Sequence, residues 1–268
     1  MSQPAFLAPL TIPASGTHTH TLIFLHGRGD TAPIFGPIFH SDLYGTAQFP
    51  GLKFIFPTPS ETFSLVFRRR IRQWFDFFHG TPPESYTPQQ LEGLKEVVEH
   101  VGELIDGEEV PVLLGGLSQG CAVAVMTLLL GGKKVQGVVG MSGWMPFAEE
   151  IMKGLAGHEE EWERIRLLGR LREMVLKEPP LEDQVVSEVL RTPVWLGHGD
   201  ADRVVAYQVG LEMRMAFERL RMDVQWTRYP GFEHWYKVPE EFEDVVRFWR
   251  EKCGMRAVGY IGGVGEMF

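Results

Sequence analysis

Cysteine is scarce in this 268-residue chain: Cys121 and Cys253 are the two present, far apart and in no CxxC spacing. That excludes a disulfide-stapled scaffold and a thiolate metal site, and favours a reducing compartment. Positive charge is not in excess either. With 26 Lys and Arg against 35 Asp and Glu, the formal net charge is −9, so the chain lacks the overall electrostatic footprint of a nucleic-acid or anionic-membrane binder. No apolar run approaches the roughly 20 residues of a membrane span. The opening "MSQPAFLAPLTIPASG" has neither a basic n-region nor a continuous apolar h-region. Stable membrane insertion and export are therefore not expected, and a cytoplasmic location is. Internal repeats and low-complexity tracts are also missing. "HEEEW" at 158–162 lacks the second histidine that a zinc-binding HExxH requires, so no metal is expected there.

What is present is apolar and periodic. Hydrophobic residues make up 44% of the chain and aromatics 12%, enough to bury a sizeable core in one globular domain spanning 1–268. Short apolar runs closed by glycine or proline recur at 21–27, 53–57, 110–116, 136–143, 194–199 and 224–231, and these read as strands. Between the second and third, Thr87 and Gln90 form a capping box, Pro88 sits at N1, and Leu91, Leu94, Val98, Val101 and Ile105 make one helical stripe. Two further helices are expected over 204–220 and 239–252. Near-continuous apolar strands alternating with helices predict an α/β fold with a mostly parallel sheet covered on both faces.

Two segments break the rhythm. Residues 149–190 carry two helical stripes, around Trp162–Val175 and Val185–Leu190, separated by "KEPP". They read as an insertion that must pack on something, and a helical cap over the active-site edge is the expectation. The alternative is packing on the flank or on a second subunit. From about residue 254 the tail is glycine-rich and aperiodic, so it is either loosely ordered or laid over the surface.

One strand-to-helix junction carries chemistry. "LLGGLSQGCAVAVMTLLL" at 113–130 contains Gly116-Leu117-Ser118-Gln119-Gly120, the GxSxG pattern of a nucleophile elbow, whose glycines allow a sharp turn around an exposed serine. A serine hydroxyl needs a positioned imidazole, and that imidazole needs a buried carboxylate to orient it. In hydrolases built this way the order along the chain is serine, acid, histidine. "LGHGDADRVV" and "YPGFEHWYK" place Asp202 and His234 after later strands in that order. Asp200, two residues before Asp202, reads instead as a turn residue bonded to its own loop. The oxyanion needs two N–H donors, one from Gln119 and one from the turn after the first strand. There Gly27 and Gly29 flank Arg28 and let its backbone approach the serine, while His26 reads as a loop-holding residue.

Taken together, "LHGRGDT", "QWFDFF", "GGLSQG", "MSGWMP", "HGDADRVV" and "PGFEHW" resemble, in order and spacing, the acyl-protein thioesterase/carboxylesterase family of serine hydrolases, over about residues 20–250 outside the insertion. The resemblance implies an α/β-hydrolase fold and no cofactor. It implies hydrolysis of carboxylic esters or thioesters by Ser118, Asp202 and His234, with the Arg28 and Gln119 amides as oxyanion hole. It places Trp144 and Met145 near the acyl group. Trp74 and Leu117 are further candidates for the substrate wall, and Phe75, Phe77 and Phe78 offer either more of that wall or plain core. The expected partner is an acyl ester or thioester, an S-acylated protein or a lysophospholipid included. A lysophospholipase or small-ester hydrolase of secondary metabolism would use the same triad, and a non-catalytic acyl-binding module is the rival of another class. Arg28, Cys121 and the 149–190 segment depart from the family pattern. The basic run "RRRIR" at 68–72 reads as a solvated loop, with an acidic headgroup or carboxylate of the substrate as its functional alternative.

Overall fold

The computed structural model describes residues 5–76, 86–157 and 160–258. The chain runs through β1 (Phe6–Ile12) and β2 (His20–Leu25) into α1 (Ala32–Thr46), β3 (Leu52–Pro59) and a hairpin of β4 (Glu61–Ser64) and β5 (Arg69–Arg72). It continues with α2 (Pro88–Asp106), β6 (Val112–Leu117), α3 (Gln119–Leu130), β7 (Gly137–Met141), α4 (Ala148–Gly154), α5 (Glu161–Leu176) and α6 (Asp183–Leu190). The remaining elements are β8 (Val194–Gly199), α7 (Tyr207–Arg219), β9 (Val224–Tyr229) and α8 (Glu240–Lys252).

Seven strands form one sheet in the order β1-β3-β2-β6-β7-β8-β9. β1 pairs antiparallel with β3, and the other neighbours pair in parallel. The expected mostly parallel sheet is thus present, and its order matters for function. The connection leaving β2 moves to β3 on one side, while the connection leaving β3 returns past β2 to β6 on the other. Between the carboxyl ends of β2 and β6 the connections diverge, which opens the crevice that α/β sheets use for ligands.

Each face has its own core. Under α1 and α8 the core is aromatic, with Phe24, Phe35, Phe39, Phe54, Phe56, Tyr236, Phe242 and Trp249 in one cluster. On the opposite face Leu114, Val123, Val125, Leu94, Val98, Met213 and Phe217 join β6, α3, α2 and α7. Helix α2 begins with the expected capping box, Thr87 and Gln90 each accepting from the other's backbone N–H.

Two helices of the insertion, α5 and α6, pack on α2 and α3. Every residue of α3 is buried, because "CAVAVMTLLL" is apolar all round and cannot face water on any side. Helices α5 and α6 supply the missing cover. Leu167, Leu168, Leu171, Val175, Val186 and Val189 enter the same cluster as α2 and α3, and Arg172 donates to the Leu130 carbonyl at the end of α3 remote from Ser118. The physical reason is that α3, apolar all round, has an outer face that water cannot cover, and the two stripes bury it. Helix α4 packs against α7.

Residues 69–72 of the RRRIR run form a hairpin strand rather than a loop, and Arg68 lies in the turn before it. Arg72 donates to Pro59 O at 2.7 Å, Arg70 to Glu61 O, and Phe63, Leu65, Val66 and Phe67 of the same hairpin are exposed. The start of the tail lies on the body, Gln48 and Val258 exchanging backbone hydrogen bonds. Phe77, Phe78, His158, Glu159 and the tail beyond Val258 lie outside the described residues.

Candidate active site

At the end of β6 the backbone turns within one residue. Ser118 has φ 55° and ψ −119°, a sparsely populated conformation for a residue with a side chain. The turn is possible because two glycines leave room. A Cβ on Gly116 would run into the Gly120 backbone, and one on Gly120 would strike the Leu25 carbonyl at the end of β2. The elbow is held from behind by Ser118 N–H donating to Met141 O at 2.9 Å. Ser118 is 8% exposed, and it stands at the start of α3, where unpaired N–H groups and the helix dipole favour negative charge.

The other two residues arrive from β8 and β9. His234 Nε2 lies 2.9 Å from Ser118 Oγ, and His234 Nδ1 lies 2.7 Å from Asp202 Oδ2. Val204 and Val205 N–H donate to Asp202 Oδ1 at 2.8 and 2.9 Å. His198 Nε2 lies 3.3 Å from Oδ2. Burial on its own would raise the Asp202 carboxyl; the hydrogen bonds from His198, His234 and the Val205 amide outweigh it and hold the group well below the usual carboxylate range. Asp202 is therefore ionised and can only accept. That fixes the proton of His234 on Nδ1 and leaves the Nε2 lone pair for the Ser118 hydroxyl. Such a chain can take a proton from the serine and stabilise the imidazolium that results.

The His234 loop is pinned from two sides. Ser142, itself at φ 45°, donates its Oγ to Trp235 O at 3.0 Å. Asp200 accepts from Gly231 N–H at 2.6 Å and Arg228 Nε at 2.8 Å, so it serves the loop as expected and does not meet His234.

Around Ser118 the remaining sequence candidates fall into two groups. Gly27 lies beside the elbow, where an added Cβ would come within 3.6 Å of Ser118 Cβ. The Arg28 guanidinium turns away to lie over the Phe67 ring, 5.6 Å from its centroid. Burial pushes it down to about 10, against the pull of Asp76. Gln119 does more than its backbone position foretold: its buried side chain accepts from Trp74 N at 3.0 Å and donates to Phe75 O at 2.7 Å. Trp74 Nε1 in turn donates to His26 O at 2.8 Å, and Phe75 meets Trp144 edge-on at 6.2 Å. One side chain thus ties the elbow, the turn after β2 and the aromatic wall together. Trp74, Trp144 and Met145 are buried in the α2–α3 core, whereas Leu117 points into the aromatic core beneath α1 and α8.

His26 Nδ1 lies 2.8 Å from Gly27 O, the loop-holding bond its position suggests. Burial lowers its pKa, keeping the ring neutral. Cys121 fills the space that Gly140 and Gly143 leave open, and burial pushes its thiol up to about 12, so it is an inert packing group. Sequence reasoning missed three features: the Gln119 tether, the Ser142 strut and His198. For His198 a signal existed, since a histidine sits within the buried strand four residues before the acid.

Comparison with known proteins agrees with this architecture. Residues 8–175 match the phospholipase/carboxylesterase family. The chain belongs to that family. Its members hydrolyse ester-type bonds, and the protein is an enzyme of that hydrolytic class with the α/β-hydrolase fold. Acyl-protein thioesterase 1 of Yarrowia lipolytica is 31% identical over 250 residues, covering 90% of this chain and 95% of that protein. The protein of the same name from Cryptococcus neoformans is 29% identical over 262 residues, covering 90% and 96%. Among solved structures, acyl-protein thioesterase 2 from Zea mays superposes with a TM-score of 0.68 at 26% identity, covering 92% of this chain and 99% of that one.

Proposed function

We propose that this protein hydrolyses carboxylic esters or thioesters through an acyl-enzyme formed on Ser118. The observation that carries the reading is the unbroken chain Ser118 Oγ–His234–Asp202 at 2.9 and 2.7 Å, set at the topological switch point of the sheet. His234 takes the Ser118 proton as Oγ attacks the acyl carbon. The Arg28 and Gln119 amides receive the oxyanion, where one such donor is typically worth about 3 kcal/mol. His234 then protonates the departing alkoxide or thiolate and deprotonates the water that frees the acid, while Asp202 stabilises the imidazolium throughout. The acyl group is assigned to the wall of Trp74, Trp144 and Met145; Leu117, turned into the aromatic core under α1 and α8, is not part of that wall. The names of the thioesterase relatives favour an S-acylated protein as substrate; lysophospholipids and small esters use the same chemistry. A cytoplasmic site of action goes with that substrate, and among the described residues no helix is long and apolar enough to cross a membrane.

The test is labelling with a fluorophosphonate probe, followed by a panel of esters and thioesters of graded chain length. Ser118→Ala is expected to abolish both labelling and turnover while leaving the thermal transition unchanged within error. Labelling that survives in the variant would remove the assignment. A thioester preference within the panel would support an S-acylated substrate, and a preference for lysophospholipids would replace it.

A further inference from the structure

The triad reading leaves one buried histidine unexplained. His198 stands one residue before the end of β8, is fully buried, and lies in a strand whose every residue is buried. An apolar side chain would fill that place without the desolvation cost of an imidazole. The ring stacks on Trp226 at 6.1 Å and meets Tyr207 edge-on at 6.0 Å. A Cβ on Gly210 of α7 would collide with its Nδ1, so α7 is built to leave the ring room. Nδ1 has no hydrogen-bond partner among the described residues. Nε2 has two, the Val205 carbonyl at 2.9 Å and Asp202 Oδ2 at 3.3 Å. Both are acceptors, so the proton must reside on Nε2. The charged groups facing this ring are Asp202, with His234 beyond it, and Arg228, which lies over Tyr207 and is paired with Asp200.

Resting on the triad assignment above, we propose that His198 is a positioning residue whose Nε2–H, shared between Val205 O and Asp202 Oδ2, holds the acid of the triad in the orientation that His234 requires. Val204 and Val205 fix Oδ1; without His198, Oδ2 would be held by His234 alone. The second imidazole thus steadies the carboxylate from the side opposite the reaction, and the carboxylate steadies the first. A carboxylate between two N–H donors pays part of its desolvation through each and keeps its negative charge.

The test compares His198→Leu, which removes the donor, with His198→Gln, whose amide N–H2 reaches about as far as Nε2. On a short-chain ester, His198→Leu is expected to lower kcat by about 10- to 100-fold with KM changed by less than about 2-fold, and His198→Gln to recover kcat to within about 5-fold of the parent. The low-field proton resonance of His234 Nδ1–H is expected to move upfield in the Leu variant and to return in the Gln variant. Equal losses in both variants with that resonance unmoved would reduce His198 to a packing role and overturn the proposal, as would a Leu variant as active as the parent. If His198→Leu does not fold, the Gln variant and nitrogen chemical shifts of the parent protein decide, since a ring protonated on Nδ1 and not on Nε2 is incompatible with the proposal. Ser118→Ala separates the two readings: turnover that survives it defeats the triad, whereas turnover lost there but kept in His198→Leu defeats only the role of His198.

Discussion

Two buried carboxyl groups, one in the β8–α7 loop and one at the start of α8, have opposite fates. Asp202 is 7% exposed and Glu241 1%, so burial pushes both upward. Asp202 accepts from Val204, Val205, His234 and His198, and the balance turns: it stays ionised. Glu241 accepts from the Lys237 amide at 2.8 Å through Oε2, while its Oε1, lying against Gly197, has no hydrogen-bond partner among the described residues. There burial wins and the group is pushed up to about 8. What separates them is the number of N–H groups aimed at the oxygens, not depth. The carboxylate that meets His234 is the one on which two backbone amides and two imidazoles converge.

The largest expected effect breaks the first member of this pair. Asp202→Asn keeps the shape but replaces an acceptor oxygen with N–H2, so His234 is turned toward the tautomer with its proton on Nε2, where it cannot accept from Ser118. A loss in kcat of about 10⁴-fold is expected, by analogy with the serine-protease template. Steady-state kinetics on a short-chain ester checks it, and a loss under tenfold would mean that the imidazole does not depend on this carboxylate.

The second member should reveal itself in stability instead of rate. Because the folded state holds Glu241 above its unfolded value of about 4.3, its contribution is fully present below that pH and is lost as pH rises toward 8. Glu241→Gln, a neutral group of the same shape, removes that loss. The variant is expected to match the parent near pH 4.5 and to exceed it progressively up to about pH 8, by an amount on the order of 2–4 kcal/mol. Thermal unfolding of both proteins across that range tests this, and parallel curves would show that the carboxyl finds a donor after all. Asp202 carries the reverse sign: its stabilisation is present above the unfolded aspartate value and is lost as pH falls through its depressed folded one.

How these features are encoded explains what could be read from the sequence. Five of the six parallel strands were legible because they are buried almost throughout and so appear as apolar runs closed by glycine or proline; the edge strand β9, half-buried along most of its length, was legible through its β-branched and aromatic residues. β1 was not, since an edge strand containing Pro9 and an irregularity between Leu7 and Leu10 has little periodicity to show. Helix α1 hid behind Gly36 and Pro37 in its interior; Gly36 is there because a Cβ would come within 2.9 Å of Leu10 and Phe56 side chains. Ser118, Asp202 and His234 were legible because chemistry ties them to strand ends in a fixed order. The Gln119 tether and the Ser142 strut depend on neighbours 45 and 93 residues away, which no local pattern records. For the insertion, the stripes were readable and their destination was not, although the helix of α3 without a polar face already announced that something had to cover it.

The smallest expected effect belongs to the aspartate two residues before the acid. Asp200 has the same side chain and the same loop, yet its oxygens go to Gly231 and Arg228, and the strongest influence lowering its pKa is the hydrogen bond from Arg228. It touches neither His234 nor Ser118. Its role is to staple the start of the loop that carries His234, a task shared with the backbone bonds Asp200 N–H to Tyr229 O and Ala201 N–H to Phe232 O at 3.1 and 3.0 Å. Asp200→Asn loses the ion pair with an exposed arginine but keeps an oxygen for the Gly231 amide, and exposed ion pairs contribute little. A change in kcat of less than about 3-fold is expected on the same ester, against the loss of about 10⁴-fold for Asp202→Asn. The two substitutions remove the same charge two residues apart, so the ratio between their effects isolates contact with the imidazole from local electrostatics. If Asp200→Asn instead matched the Asp202 loss, the charge of the loop, and not the bond to His234, would be what the serine depends on.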